Sequence, residues 1–238
     1  MHSMDPQKSS ADFQKEFERT LATPEDGVAN FSGVVFPSAK YAKRRFSIKC
    51  LFNQAVFNCP ADFMGATFTE TAIFSEAVFF ERAYFQASKF LKEAVFAWAR
   101  LTHGADFSMA HFTQDAKFHE ARFDEDATFN GAEFKQDADF NSTIFISNVY
   151  FNVIRPTTAM GSQGVTNKDS PPIRSPFIPT VFDRKVNFHG VTFGKRLEYR
   201  QTRFRGDGEP EPGPIFSLAR FDNPRLVVFY DTDLTARV

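Results

Sequence analysis

A regular spacing of phenylalanine constrains this chain more than any other feature. From Phe46 to Phe151, large apolar residues recur in steps that alternate between six and five residues. They stand at positions 46, 52, 57, 63, 68, 74, 79, 85, 90, 96, 101, 107, 112, 118, 123, 129, 134, 140, 145 and 151, all phenylalanine except Leu101. A small residue precedes almost every one by two positions. An eleven-residue period repeated this often is typical of a solenoid.

The spacing is incompatible with two simpler structures. Phenylalanines five and six residues apart do not share one face of an α-helix, and Pro60 and Gly65 interrupt the repeat. The two-residue alternation of a plain β-strand also fails, because one step in each pair is odd. The pattern therefore predicts short extended segments separated by turns. In each segment the small residue and the phenylalanine point inward, and the residue between them points outward.

Short segments of the repeat resemble a known family. AVFNC, ADFMG, ATFTE, AVFFE, ADFSM and ATFNG are similar to the consensus A-(D/N)-(L/F)-x-x of pentapeptide-repeat proteins. The alternating five- and six-residue spacing resembles the phenylalanine-centred variant of that family. The resemblance covers residues 46–151 strongly and 177–227 more weakly. It implies an all-β fold, a right-handed quadrilateral β-helix with four short faces in each coil.

Four such centres make a coil of 22 residues, so residues 22 apart should stack at about 4.8 Å. Two of the resulting interior columns are phenylalanine ladders. An alanine ladder lies beside them, because a large side chain there would collide with the rings. The predicted core ladder consists of Phe52, Phe74, Phe96, Phe118, Phe140, Phe63, Phe85, Phe107, Phe129, Phe151, Ala61, Ala83, Ala105 and Ala127.

The start of the chain predicts a cap for the solenoid. Residues 1–8 are interpreted as a flexible N-terminus or the remnant of a tag. Residues 9–30 are expected to form a capping α-helix and a linker, because Phe13, Phe17 and Leu21 make one apolar stripe. A solenoid exposes its core at each end and needs such a cover.

The β-helix is predicted over residues 31–238 as one domain with two interruptions. The loops at 152–176 and 206–214 are rich in proline and glycine and lose the repeat. The longer loop is interpreted as either a recognition element or a tolerated insertion. The apolar run at 225–230 is expected to supply the last strand or to cover the C-terminal edge.

Composition indicates a cytoplasmic protein. The mean hydropathy is −0.33, and the start of the chain has no apolar signal segment. No apolar run is long enough to span a membrane, so no membrane insertion is expected from this segment. Cys50 and Cys59 lie nine residues apart and suggest a reduced setting rather than a disulfide framework. Whether the chain is part of a longer protein stays open.

No motif for catalysis, cofactor binding or metal binding is found in the sequence. Walker, G-x-G-x-x-G, H-E-x-x-H and G-x-S-x-G patterns are absent. His103, His111 and His119 are spaced by eight residues, which places them at different points around a 22-residue coil. We interpret them as surface histidines. The sequence therefore predicts neither an enzyme nor a cofactor or metal site.

Acidic residues recur at the corners of the predicted coil. The extra residue of successive six-residue steps places Glu93, Asp115 and Asp137 in one column and Asp126 on the opposite corner. These four residues are the candidate interaction surface, as an acidic strip that binds a cation or a basic partner. The alternative is that aspartate is a good turn residue and only marks the corner.

The function expected from these features is that of a non-catalytic, rigid scaffold that binds an unidentified protein partner. The resemblance implies an alternative, because some pentapeptide-repeat proteins mimic DNA, bind a type II topoisomerase such as gyrase and protect it from inhibitors. That mimicry needs a long negative surface, whereas the net charge here is −1 and the C-terminal third is mildly basic. Direct DNA binding is not expected, and the oligomeric state stays open.

Overall fold

A computed structural model describes residues 10–154, 178–204, 214, 216–230 and 232. The described part of the chain begins with helix α1, Ser10–Ala22, and its last elements are a short 3-10 helix, Pro224–Leu226, and the strand Val227–Tyr230. Between them the chain winds as the predicted right-handed quadrilateral β-helix, whose strands form four parallel sheets. The predicted fold class, including the N-terminal helix, is confirmed.

Each sheet forms one face of the coil, and most strands are two residues long. Face 1 contains Val28–Asn30, Lys49–Leu51, Ala72–Ile73, Ala94–Val95, Ala116–Lys117, Ala138–Asp139 and Val186–Asn187. Face 2 contains Val35–Phe36, Val56–Phe57, Val78–Phe79, Arg100–Leu101, Arg122–Phe123, Ile144–Phe145, Thr192–Phe193 and Arg220–Phe221. Face 3 contains Ala39–Lys40, Ala61–Asp62, Ala83–Tyr84, Ala105–Asp106, Ala127–Thr128, Val149–Asn152, Leu197–Arg200 and Val227–Tyr230. Face 4 contains Arg45–Phe46, Thr67–Phe68, Lys89–Phe90, His111–Phe112, Glu133–Phe134, Val181–Phe182 and Arg203–Phe204.

The register between coils follows the 22-residue repeat. On face 3, Ala83 pairs with Ala105, and Ala105 pairs with Ala127. These alanines are fully buried, because successive strand residues point to opposite sides of the sheet and the neighbouring position points outward. The repeat therefore sets both the strand pairing and the side of the sheet that each residue occupies.

The interior is a set of stacked rings, and the predicted phenylalanine ladder is confirmed. Phe52 and Phe74 stack at 4.7 Å between ring centroids, and Phe85 and Phe107 at 4.9 Å. Adjacent ladders meet edge to face, as Phe96 and Phe107 do at 5.3 Å. Both arrangements are favoured for aromatic pairs. Leu101 takes a ring position on face 2, where it pairs in register with Phe123.

Two kinds of corner alternate, and they explain the five- and six-residue steps. After the phenylalanine of faces 1 and 3, a β-turn closes with a hydrogen bond such as Ala77 N to the carbonyl of Phe74, 3.1 Å. The third residue of that turn has a positive φ, as at Glu76 (+58°) and Ala87 (+54°), which is the feature of a type II turn. The six-residue corners contain one more residue, and Gly104 at φ +82° is the residue with positive φ there.

Helix α1 covers the first coil through its aromatic side chains. Phe17 stacks on Phe31 at 4.6 Å and on Tyr41 at 4.5 Å. The guanidinium of Arg44 donates hydrogen bonds to both carboxylate oxygens of Glu18, at 2.6 and 2.5 Å. The β-helix starts at Val28, within the segment that the sequence assigned to the linker.

The two predicted insertions fall largely outside the described residues, as does the predicted N-terminal segment 1–8. The base of the longer insertion is closed by an antiparallel bridge between Ile154 and Ile178, with N–O distances of 2.8 and 3.0 Å. Strand pairing continues across it, because Val149 pairs with Leu197 on face 3. The coils on either side therefore form one continuous stack.

Candidate interaction surfaces

The acidic corner, defined by Glu93, Asp115 and Asp137, lies between faces 4 and 1. The structure brings Asp115 and Asp137 into one shallow depression of about 220 Å³. The depression is lined by Asp115, Lys117, Asp137, Ala138, Asp139, Lys185 and Asn187. Glu93 lies one coil away and forms an ion pair with Lys117 at 2.5 Å. The corner is therefore acidic but contains two lysines.

Lys117 is held firmly in its charged form at this corner. The hydrogen bond that Lys117 Nζ donates to Glu93 is the largest cause, and the nearby charges of Asp115 and Asp139 add to it, so that the pKa of Lys117 is raised. Asp139 is engaged as well, because its Oδ1 accepts hydrogen bonds from Asn141 N and Asn187 Nδ2 at 3.0 and 3.1 Å. Asp115 and Asp137 are the carboxylates here for which no hydrogen bond or ion pair forms among the described residues.

Asp126 occupies the opposite corner and has a structural role there. Its Oδ1 accepts hydrogen bonds from Ser147 Oγ at 2.7 Å, Asn148 N at 3.1 Å and Asn148 Nδ2 at 2.9 Å. These bonds come from one backbone N–H and two side chains of the next coil, so the Asp126 carboxylate ties two successive corners together. Asp126 therefore does not join Asp115 and Asp137, and its geometry fits the alternative interpretation as a corner residue.

The three evenly spaced histidines lie on different parts of the coil. His111 Nδ1 is 2.8 Å from Glu133 on face 4, and His119 Nδ1 is 3.7 Å from Asp139 on face 1. His103 Nδ1 contacts the carbonyl of Phe80 at the corner between faces 2 and 3. Nowhere in residues 10–154, 178–204 and 216–230 do three or more His, Cys, Asp or Glu side chains gather closely enough to hold a metal ion.

The two cysteines are both free thiols. Cys50 replaces the usual alanine in the interior column of face 1, and burial raises its pKa to about 12. In the part of the chain that the structure describes, no helix is both long and apolar enough to cross a membrane.

Several large apolar side chains project from the corners rather than into the core. Trp98 is 50% exposed, Phe80 49%, Met64 43% and Met109 42%. The repeat pattern could not predict these exposed residues, because it is defined by the inward positions, whereas the residues at the corners vary from coil to coil. A signal was nevertheless present for one of them, since Trp98 is the single tryptophan of a chain with 32 phenylalanines.

A wider groove runs along face 3 of the first coils, with a volume of about 640 Å³. Pro37 and Pro60 border it at one corner, and Met64 borders it at the next. The ring of Tyr84 contributes to its lining and carries the guanidinium of Arg82 at 5.9 Å from its centroid.

Comparison with known proteins gives one match. The family profile described as Pentapeptide repeats (9 copies) matches residues 96–144. No curated protein and no solved structure matches the chain. The matched residues lie in the middle of the stack, and the same ring ladders continue on both sides, from Phe31 on Phe52 at one end to Phe188 on Phe216 at the other. Residues 96–144 therefore carry pentapeptide repeats, and the expected resemblance to that family is confirmed over this segment.

Proposed function

We propose that this protein is a non-catalytic scaffold that binds a protein partner on the outer surface of a rigid β-helix. The observation that supports this most strongly is the division between inward and outward positions. Inward positions are filled by rings and small side chains that are fully buried, such as Phe107 and Ala105. The outward positions therefore carry chemically varied side chains. Because the core beneath them is close-packed and rigid, the backbone positions that carry these side chains are fixed relative to one another.

The acidic corner is the first candidate for the part of this surface that contacts the partner. Asp115 and Asp137 share a depression and are free of ion pairs among the described residues, so they can accept hydrogen bonds from a basic group of a partner. The lysines beside them, Lys117 and Lys185, limit the negative charge of the corner. A long uniform negative surface, as a DNA mimic requires, is not favoured by this arrangement or by the outward arginines of face 2, Arg100 and Arg122.

The test is recovery of partners by cross-linking in a lysate of the natural host, with two matched triple variants. One variant is Glu93→Gln, Asp115→Asn and Asp137→Asn. The control is Glu25→Gln, Glu81→Gln and Glu125→Gln, which removes the same charge from exposed glutamates away from the corner between faces 4 and 1. A specific protein bound by the wild type and the control but lost from the first variant would support the proposal and locate the interface.

Three other outcomes are informative. A partner retained by both variants would keep the scaffold function and move the interface away from the acidic corner. Recovery of topoisomerase subunits would favour the DNA-mimic alternative. The absence of any saturable partner under cross-linking would contradict the proposed function.

A further inference from the structure

Trp98 occupies a turn position whose backbone conformation favours glycine over a large side chain. It is the third residue of the β-turn between faces 1 and 2, with φ +56°, a conformation in which side chains other than glycine are strained. Other coils place Gln54, Glu76, Glu120 and Ser142 there at similar φ. The indole is half exposed, so burial does not offset the strain. An exposed aromatic residue in a strained turn indicates a role outside the fold.

Two carboxylates flank the indole along the same corner. Glu76 and Glu120 occupy the equivalent turn position one coil before and one coil after Trp98, and both are exposed. The coils are in register here, since Glu76 N donates to the carbonyl of Ala97 at 2.9 Å and Trp98 N donates to that of His119 at 3.0 Å. One strand spacing per coil places the two glutamate backbones about 10 Å apart, with Trp98 midway between them.

The cations around this corner already have carboxylate partners elsewhere. Arg100 pairs with Asp124 at 3.2 Å, and Lys117 pairs with Glu93 at 2.5 Å. Glu76 accepts a hydrogen bond from the neutral amide of Gln54 at 3.0 Å. Among the described residues, neither Glu76 nor Glu120 forms an ion pair. The corner therefore combines an exposed indole with negative charge that no cation of the described chain neutralises.

His119 fixes the orientation of the indole without covering it. The two rings meet edge to face, with centroids 4.8 Å apart and an interplanar angle of 86°. The imidazole also lies near Asp139, with Nδ1 3.7 Å from Oδ2. These contacts reduce the rotamers open to Trp98 and leave half of its surface available, so that binding a flat group loses little side-chain freedom.

We propose that Trp98, Glu76 and Glu120 bind an arginine side chain of a partner protein. A guanidinium is planar, stacks on aromatic faces and donates hydrogen bonds to carboxylates, so one group satisfies all three residues at once. Trp98 supplies the stacking surface, and the two glutamates attract and orient the cation. This inference rests on the proposed scaffold function and names the chemistry of its partner at a second corner, distinct from the acidic corner.

The test uses a dye-labelled hexa-arginine peptide, with a peptide of the same length in which citrulline replaces arginine as the neutral control. Emission from the single tryptophan reports binding at this corner alone, and anisotropy of the dye reports total binding. Two double variants are compared: Glu76→Gln with Glu120→Gln, and the control Glu70→Gln with Glu125→Gln. The control removes equal charge from exposed glutamates at other corners.

We expect the arginine peptide, and not the citrulline peptide, to change the Trp98 emission in a saturable way. The E76Q/E120Q variant should bind the peptide about three-fold more weakly or worse, and the control should change by less than about two-fold. Trp98→Gly should weaken binding by about three- to thirty-fold.

Emission that stays constant while the anisotropy saturates would overturn the proposal, and so would equal weakening by the two double variants. If Trp98 is silent while a partner is still captured through the acidic corner, this inference fails and the scaffold function stands. If no partner is captured at all but the indole responds to the arginine peptide as expected, the site stands and the scaffold function fails.

Discussion

Inside the β-helix one coil is nearly a copy of the next, whereas outside it the corners differ from coil to coil. The rings of Phe63, Phe85 and Phe107 stack in parallel, with interplanar angles of 1°. The turn position between faces 1 and 2 holds, in successive coils, glutamine, glutamate, tryptophan and glutamate. The same backbone repeat therefore presents uniform chemistry on one side and varied chemistry on the other.

This difference indicates which residues determine stability and which determine recognition. A ring removed from the interior leaves a cavity between two neighbours that cannot close, because the strands on all four faces hold the coil spacing. A side chain changed at a corner meets solvent on one side and alters only local turn energetics. We therefore expect stability to depend on the interior ladders and recognition to depend on the corners. Substitutions matched between the two regions can break this comparison or sharpen it.

The largest effect is expected from truncating an interior ring. Phe107→Ala removes a fully buried side chain that stacks between Phe85 and Phe129, and should lower the free energy of unfolding by about 3–5 kcal/mol. The matched exterior change is Phe80→Ala, which removes the same atoms from a half-exposed corner and should cost less than about 1 kcal/mol. Urea denaturation of both variants measures the difference, and equal losses would contradict the comparison.

A second test enlarges a small interior residue. Ala127 is fully buried and pairs in register with Ala105 and Val149, so Ala127→Leu should overpack the space beside the rings and cost about 1–3 kcal/mol. Thr128 is the adjacent outward residue, and Thr128→Leu should change the stability by less than about 0.5 kcal/mol. The two variants differ by one position along the chain, so thermal unfolding compares the two sides of one strand. An A127L protein as stable as the wild type would show that the interior has space for a larger side chain, which would contradict the close packing of the ladders.

The cap provides a smaller, pH-dependent effect. The hydrogen bond from Arg44 holds the pKa of Glu18 below its usual value, so the ion pair stabilises the cap above the unfolded pKa of about 4.3 and is lost as the pH falls through the folded pKa. Because the Glu18 side chain is 46% exposed, Glu18→Gln should cost about 1 kcal/mol or less at neutral pH.

The E18Q variant should also lose less stability than the wild type when the pH is lowered to about 3. Glu25→Gln is the control, since Glu25 is exposed and forms no ion pair among the described residues. Urea denaturation at neutral and acidic pH distinguishes the two. An unchanged acid dependence in E18Q would contradict the role given to this pair.

The smallest effect is expected from relieving the strain at one turn position with glycine. Ala87 has φ +54°, whereas the equivalent positions Gly65 and Gly131 hold glycine. Ala87→Gly relieves the strain but increases the entropy of the unfolded chain, so we expect a net gain of about 0.5 kcal/mol. Ala87→Val should instead cost more than about 1 kcal/mol, because a β-branched side chain is least compatible with positive φ. A gain for valine would show that the turn is not strained.

The sequence was sufficient to predict which residues fill the interior but not which contacts form on the exterior. Both results have the same physical reason. The ladder positions, such as Phe52 and Phe74, must each insert a ring into a stack, so their identity repeats and is visible as a period. The helix from Ser10 was predicted because Phe13 and Phe17 share one face. The 22-residue frame places Glu93, Asp115 and Asp137 on one corner, and their role as an interaction surface stays a prediction.

The partners of those side chains, however, depend on distances that no period reports. The pairing of Glu93 with Lys117, the hydrogen bonds that engage Asp126 and the alternation of strained and unstrained corners all required the structure. Trp98 was missed because a repeat pattern records what recurs, and this residue occurs once.

Trp98→Gly tests the division between interior and exterior most directly, because it deletes the largest side chain of the chain at an outward position. The relief of backbone strain and the loss of the ring contact with His119 nearly cancel, so the free energy of unfolding should stay within about 1 kcal/mol of the wild type. Binding of the hexa-arginine peptide should fall in the same sample. A loss of stability of about 3 kcal/mol or more, the size expected for an interior ring, together with unchanged peptide binding, would contradict the account.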